Sequence, residues 1–183
     1  MKNYCDNCAL RLFNNKHYNL QGIGNPYFGN CIVVPNVDYN AYKTGTMGFS
    51  KQVEIINSII PSTGGVERVF ILPLIRCSDK LGCELTTDIY NNCIHYFARD
   101  INKYQFKRIL LLGDAAKRFF NCNVSDYIDT IIISRNNRIY NVNYSPFIIY
   151  TNKDKYEIFK RYLLKWYNSI SNNDFTQYKI LRL

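Results

Sequence analysis

Short runs of apolar residues mark four candidate strands along the chain. They are 31–35 (CIVVP), 67–77 (ERVFILPLIRC), 107–113 (KRILLLG) and 129–134 (DTIIIS). Runs of this length and composition are typical of strands that are buried on both faces of a sheet. Pro73 interrupts the second run. Because proline cannot donate a hydrogen bond to a neighbouring strand, we predict that Pro73 lies at the end of its strand or at a bulge.

Amphipathic segments alternate with these strands. Apolar residues recur every three or four positions in 49–60, 84–101 and 156–170, which predicts helices. The alternation predicts an α/β fold of three layers (α/β/α), in which helices cover both faces of a central, mostly parallel sheet of four strands. Ligands of such sheets bind beyond the carboxyl ends of the strands. We therefore expect a site in the loops after the first three strands.

The chain of 183 residues suits a single domain. Residues 1–30 are polar and rich in glycine, so they are expected to form an irregular leader. Residues 167–183 form a tail whose order the sequence leaves open. No apolar run is long enough to cross a bilayer, and the first residues lack the apolar core of a signal peptide. We expect a cytoplasmic or nuclear protein without a membrane partner.

The charge is strongly positive and unevenly distributed. The formal net charge is +9, and the segment 135–183 carries nine Lys or Arg against three Asp or Glu. A polyanion such as DNA is a natural partner of a surface like this. The alternative is that the charge only keeps the protein soluble.

Seven cysteines are present, an odd number that argues against a disulfide framework in a chain without an export signal. Cys5 and Cys8 form a C-x2-C pair. Cys77 ends the second predicted strand, and Cys93 lies on the predicted helix that follows it. A redox pair of the thioredoxin type would follow a strand, and this pair does not. Four thiolates can hold zinc or an iron–sulfur cluster, and plain burial of the thiols is the alternative.

The cysteine spacing, together with several short motifs, resembles the family-four uracil-DNA glycosylases. Those proteins bind a [4Fe-4S] cluster through four cysteines spaced like Cys5, Cys8, Cys77 and Cys93. Further similar segments follow in the same order along the chain: CALR (8–11), GIGNP (22–26), VFILPLIRC (69–77), LLGDAAKRF (111–119) and YSPFIIYTNKDKYEIFKRYL (144–163). The resemblance implies the fold of that family, a [4Fe-4S] cluster on these four cysteines, with zinc as the alternative, and DNA as the ligand.

The residues that carry the chemistry of the family differ in this chain. Asn36 stands where the family has a glutamate that places the attacking water. Asparagine can orient a water but cannot act as a base. Asp38 is a carboxylate two residues further on, and it could replace the glutamate only in a reshaped loop.

The pocket for the base has changed as well. Pro73 takes the place of the asparagine that reads uracil, and proline offers no side-chain hydrogen bond. Ser145 takes the place of the histidine that stabilises the departing base, and a hydroxyl cannot carry positive charge. Gly48 falls at the position of the stacking aromatic, which leaves Phe49 as a displaced ring.

Because all these positions have changed, we expect a DNA-binding protein whose glycosylase activity is lost or very weak, with an accessory role in replication or repair. Basic residues near the C-terminal helix are assigned to phosphate contacts: Lys153, Lys155, Lys160, Arg161 and Lys165. Two alternatives stay open. The first is an active glycosylase that flips out uracil or another modified base. The second is an interaction protein whose partner belongs to replication or repair.

Overall fold

A computed structural model describes residues 5–6, 8–13, 19–60, 68–78 and 85–183. The strands in this part of the chain are β1 (Ile23–Gly24), β2 (Asn30–Val37), β3 (Phe70–Ser78), β4 (Arg108–Leu112), β5 (Thr130–Ile133), β6 (Ile139–Asn143) and β7 (Lys179–Arg182). The helices are α1 (Ala9–Phe13), α2 (Tyr39–Thr44), α3 (Lys51–Ile59), α4 (Thr87–Tyr104), α5 (Asp114–Phe120), α6 (Val124–Tyr127) and α7 (Lys153–Asn172).

The strands form one sheet in the order β1-β3-β2-β4-β6-β5-β7. Its centre, β3-β2-β4-β6, is parallel throughout. β1 and β5 join the two sides of this centre antiparallel, and β7 pairs in parallel with β5 at the edge. The prediction of an α/β fold with a central sheet is confirmed. The prediction of four strands is wrong, because the described residues contribute seven.

Helices cover both faces of the sheet because the side chains of a strand alternate between faces. On β2, Ile32 and Val34 point to a core formed with α3 and α7, whose most buried residues include Trp166. Val33, between them, points to a second core formed with α4 and α5, which includes Phe97. The continuous apolar run of β2 is therefore explained by burial on both sides.

Two sequence predictions about strands need correction. The segment 129–134 does contain a strand, β5, but it lies outside the parallel centre, and the fourth central strand is β6. Pro73 lies inside β3, opposite Val34 of β2. It is tolerated there because β1, on the other side of β3, pairs with Phe70 and Ile71 and ends its pairing before position 73.

The two terminal segments contain short regular elements. In the leader, α1 and β1 are followed by a 3-10 turn, Pro26–Phe28. In the tail, α7 continues to Asn172, and β7 then pairs with β5. All four residues of β7 are exposed.

Candidate metal centre and nucleic-acid interface

The four cysteines selected by the sequence lie around one cavity. Cys5 and Cys8 come from the leader, Cys77 from β3 and Cys93 from α4, and together they line a small cavity of about 10 Å³. All four are buried. The rest of the lining is Leu10, Arg11, Asn19, Arg76, Asn92 and Tyr96.

Local structure explains how the leader brings in its two thiols. The backbone N–H of Cys8 donates to the carbonyl of Cys5 at 3.2 Å, and that of Arg11 donates to the carbonyl of Cys8 at 3.0 Å. This turn runs directly into α1. Leu10 of α1 then packs with Ile75 of β3 and with three of the cysteines in a small separate core. The cysteines are therefore one point of attachment between the leader and the sheet, and the pairing of β1 with β3 is another.

The sulfur atoms of Cys5, Cys77 and Cys93 have hydrogen-bond partners. The Cys5 Sγ and the Tyr96 hydroxyl are 3.3 Å apart. Burial raises the pKa of Cys77 to about 12 and that of Cys93 to about 11. Hydrogen bonds with the backbone at Asn19 and Arg76 act on Cys77 and Cys93 in the opposite direction, and the neighbouring thiols raise both pKa values further. Hydrogen bonds to sulfur are a normal feature of cysteine-ligated iron–sulfur clusters.

A buried ion pair supports this cavity, and sequence reasoning missed it. Arg76 precedes Cys77 in β3 and pairs with Asp100 of α4, with only 1% and 5% of the two side chains exposed. The Arg76 guanidinium also donates to the backbone carbonyl of Tyr96 at 3.2 Å and lies 5.4 Å from the centre of its ring. The position of Asp100 could have been noticed in the sequence, because it lies two helical turns after Cys93 on the same face of a predicted helix.

The chemistry of the donor set fits a cluster held by cysteines, because four buried thiols come from three separate elements. Leu10, Ile75 and Ile89 pack beside them on one side, and polar side chains complete the lining. As they stand, no three or more His, Cys, Asp or Glu side chains in the described ranges are grouped so that they could hold a metal ion. Cys31 is buried in the sheet core, and Cys122 is half-buried after α5. Cys83 lies outside the described residues.

A second candidate region lies at the carboxyl ends of the central strands. Asn36, near the end of β2, lines an open groove with Lys51 and Phe147. Phe147 belongs to the 3-10 turn Pro146–Tyr150 that follows β6. The hydrogen bond from Lys51 to Glu54 raises the pKa of Lys51, and the electrostatic influence of Tyr150 adds to the rise. The parallel centre of the sheet therefore gathers these residues where ligands of such sheets bind. We call this region the carboxyl edge.

Asp38 lines the same groove, but its carboxylate is occupied by structural hydrogen bonds. Its Oδ1 accepts from the backbone N–H of Ala41 at 3.1 Å, which caps α2. Its Oδ2 accepts from the Ser50 hydroxyl at 2.6 Å and from the backbone N–H of Gln52 at 3.2 Å, at the start of α3. One side chain therefore holds the beginnings of two helices together, and both of its oxygens are committed to that role.

We expect Asp38→Ala to lower the free energy of unfolding by about 2 kcal/mol, because it removes a helix cap and two further hydrogen bonds to a buried carboxylate. Urea denaturation followed by circular dichroism measures this change. Asn40→Ala is the control, since Asn40 is exposed in the same groove. Equal stability of the two variants would contradict the structural role of Asp38.

The other predicted pocket residues are dispersed. Ser145 caps the 3-10 turn after β6, with its hydroxyl accepting from the backbone N–H of Phe147 at 3.3 Å. It packs against the turn at Gly113, where a Cβ would lie 2.8 Å from the Ser145 Cβ. Phe49 is 65% exposed in a 3-10 turn before α3, on a neighbouring groove. Pro73 is buried within β3.

The five basic residues assigned to phosphate contacts differ in their surroundings. Lys153 and Lys155 are exposed in the first turn of α7, and Lys155 lies 5.6 Å from the centre of the Tyr144 ring. Lys160 pairs with Glu157 at 2.8 Å. Arg161 is exposed. Lys165 has a structural role, because it pairs with Asp129 at 2.5 Å and donates to the carbonyl of Gln177 at 2.9 Å.

Sequence reasoning missed the exposed aromatic and basic residues of the carboxyl edge. Tyr39 is 49% exposed and Tyr150 is 63% exposed, and Lys51 lies on the groove between their elements. Residues of both kinds are present in the sequence, but only the parallel order of β2, β4 and β6 places them at one edge.

No protein-family model matches the chain, and no curated protein resembles it closely enough to count as a match. Among the described residues, no helix combines the length and the apolar character that crossing a membrane requires.

Proposed function

We propose that this protein binds DNA on a domain of the uracil-DNA glycosylase kind, stabilised by a [4Fe-4S] cluster, and that efficient base excision has been lost. Cys5, Cys8, Cys77 and Cys93 would hold the cluster. A cluster on these four residues would supply a covalent link between the leader, β3 and α4. Zinc is the alternative ligand of the same thiols.

The observation that carries this proposal is the position of the cysteines. The resemblance selects four of seven cysteines from segments far apart in the sequence, and these four line one cavity. Of the other described cysteines, Cys31 and Cys122 do not line it. Plain burial of thiols would give no reason for this particular set to converge. In the described residues the thiols do not stand in a metal-binding arrangement, so a cluster would require them to lie closer together.

The state of the pocket supports the loss of excision. Glycosylases of this kind need a group that places water and a group that stabilises the departing base. Asp38 is the carboxylate near the water-placing position, and it accepts three hydrogen bonds at the starts of α2 and α3. Ser145 stands at the position that would stabilise the departing base, and it caps a 3-10 turn. Both residues therefore serve the fold where their family counterparts serve the reaction.

The carboxyl edge supports DNA binding. Lys51, Lys153 and Lys155 bring positive charge to this end of the sheet, and Tyr150 offers an exposed ring. Cations that neutralise phosphates and flat rings that contact bases are the two components of sequence-tolerant DNA binding. We assign the phosphate contacts to Lys51, Lys153 and Lys155. Lys51 pairs with Glu54 at 2.5 Å, but 40% of its side chain is exposed, so a phosphate can take the place of that carboxylate. Lys165 is less exposed and is held by Asp129 and by the carbonyl of Gln177.

The proposal predicts DNA binding without base release. The affinity for a duplex should fall steeply as salt is raised. Replacing Lys51, Lys153 and Lys155 with Gln should make the slope of log affinity against log salt concentration shallower by about 2.7, or about 0.9 for each phosphate that is no longer neutralised. Fluorescence anisotropy at several salt concentrations measures both. Lys165→Gln is unsuitable as a control because it would disturb folding. Arg135→Gln, exposed in the turn between β5 and β6 at the opposite end of the sheet, should leave the slope unchanged.

The same preparation is tested for base release on oligonucleotides that contain uracil or hypoxanthine. We expect no abasic sites above background. Release of either base at the rate of an ordinary enzyme would overturn the loss of excision, and Asn36, which lines the carboxyl-edge groove, would then be the first residue to examine. Absence of any affinity for DNA at low salt would overturn DNA binding.

A further inference from the structure

A second aromatic and basic surface lies at the opposite end of the sheet. It surrounds a groove at the amino ends of β2 and β4, which begin at Asn30 and Arg108. The groove is lined by Tyr27, Phe28, Gly29, Lys103, Tyr104, Gln105 and Lys107. We call these residues the amino-edge patch. None of them belongs to the cysteine cavity or the carboxyl edge.

The two leading rings of this patch are unusually exposed. Tyr27 is 91% exposed and Phe28 is 52% exposed, although they are adjacent in sequence. Isolated exposed apolar residues are common, but a contiguous group of aromatic side chains at the surface marks a binding site. A third ring, that of Tyr104, lines the same groove.

The turn that carries these rings is firmly held. The Asn25 side chain accepts from the backbone N–H of Tyr27 at 3.0 Å, and the Asn25 N–H donates to the carbonyl of Val69 at 3.3 Å. At the other end, the carbonyl of Gly29 accepts from the N–H groups of Lys107 and Arg108 at 2.8 and 3.1 Å. The rings are therefore presented on a pre-organised backbone, which reduces the entropy lost when a ligand binds.

The charge of the patch indicates the ligand. The seven residues that line the groove include two lysines and no acidic residue. Lys103 lies 4.8 Å from the centre of the Tyr104 ring, so charge and ring occupy the same place. Rings that can stack on bases, beside cations that can neutralise phosphates, are the arrangement by which proteins bind single-stranded nucleic acid. A duplex keeps its bases stacked and offers the rings nothing to contact.

We propose that the amino-edge patch is a binding site for single-stranded nucleic acid, separate from the carboxyl edge. Bases of the strand stack on Tyr27 and Phe28, and its phosphates contact Lys103 and Lys107. The protein then engages nucleic acid at both ends of its sheet, with the single strand at the amino ends and the duplex at the carboxyl ends.

The test is fluorescence anisotropy with labelled oligothymidylate of about 20 nucleotides, which exceeds the length that a single small domain covers. We expect the double variant Tyr27→Ala, Phe28→Ala to bind at least about tenfold more weakly, and Tyr27→Phe to bind like the unaltered protein because it keeps the ring. Replacing Lys103 and Lys107 with Gln should make the slope of log affinity against log salt concentration shallower by about 1.4, or about 0.7 for each phosphate that is no longer neutralised.

Tyr150→Ala is the matched control, since it removes an exposed ring of the carboxyl edge. Oligothymidylate affinity that is unchanged in the double variant overturns the amino-edge site, whether or not duplex binding survives. The same result would follow if the patch served a protein partner. The lysine variants of the carboxyl edge test duplex binding, and their result does not bear on the amino-edge site. Failure of this inference and failure of the proposed function are therefore distinguishable.

Discussion

Asp100→Ala is expected to lower the free energy of unfolding by about 3–5 kcal/mol, the cost of leaving a buried charge without its partner. The Arg76 guanidinium is 1% exposed, and Asp100 is its charged partner on α4. The remaining hydrogen bonds of Arg76 reach neutral acceptors, among them the carbonyl of Tyr96 and the Asn19 side chain. Chemical denaturation followed by circular dichroism measures the loss.

Asp88→Ala is the control for this variant, because Asp88 is exposed in the first turn of the same helix. It should cost less than about 1 kcal/mol. A double variant, Arg76→Met with Asp100→Leu, should recover much of the stability that Asp100→Ala forfeits, since it removes both charges from the interior. A cost for Asp100→Ala no larger than that for Asp88→Ala would contradict the buried ion pair.

The proposed cluster predicts that Cys93→Ser binds no cluster and that its leader is loosened. Cys93 is the one thiol of the four that comes from α4, so its replacement removes one ligand and the link to that helix. We expect the visible absorption to disappear and the amides of residues 8–13 to exchange faster with solvent, because the small core around Leu10 includes Cys93. Absorption spectroscopy and hydrogen exchange give the two readouts.

Cys122→Ser provides the matched control, since Cys122 is half-buried outside the cavity. It should retain the cluster and the protection of the leader. Retention of the full absorption in Cys93→Ser would remove Cys93 from the ligand set. Equal losses in the two variants would indicate a general effect of serine rather than ligation.

The central strands could be predicted because burial on both faces leaves a continuous apolar run, as in β2 and β4. β6 (IYNVN) escaped prediction because two buried asparagines interrupt its pattern. Their side chains donate to backbone carbonyls of Thr130 and Phe159, which are distant in sequence. β7 is exposed along its whole length and gives no apolar signal of a buried strand.

The candidate site divides in the same way. The resemblance, carried by the spacing and the neighbouring motifs, selects four cysteines, and the structure places these four around one cavity. The role of Asp38 could not be predicted from the sequence. An aspartate near a pocket can activate water or cap a helix, and the sequence does not distinguish the two roles. Its partners Ser50 and Gln52 are distant in sequence, and only the loop between α2 and α3 brings them to it.

The exposed rings were equally hidden from the sequence. Aromatic residues are normally interpreted as core, and nothing in the sequence indicates that Tyr27 is at the surface. The resemblance predicts Phe49 as a displaced ring of the base pocket, but it does not predict the large exposure of that ring. Both stand in 3-10 turns, where the chain turns away before the next regular element and carries the ring out with it. Their exposure follows from turn geometry and not from composition.

The most direct test of the cluster is the visible spectrum of the full chain purified without oxygen, with its iron, sulfide and zinc content. We predict a brown protein with a broad band near about 400 nm and about four iron and four sulfide per chain. The band should be missing in Cys93→Ser and retained in Cys122→Ser. A colourless protein without iron, or one that carries a single zinc ion, would contradict the cluster and remove the strongest support for the proposed scaffold.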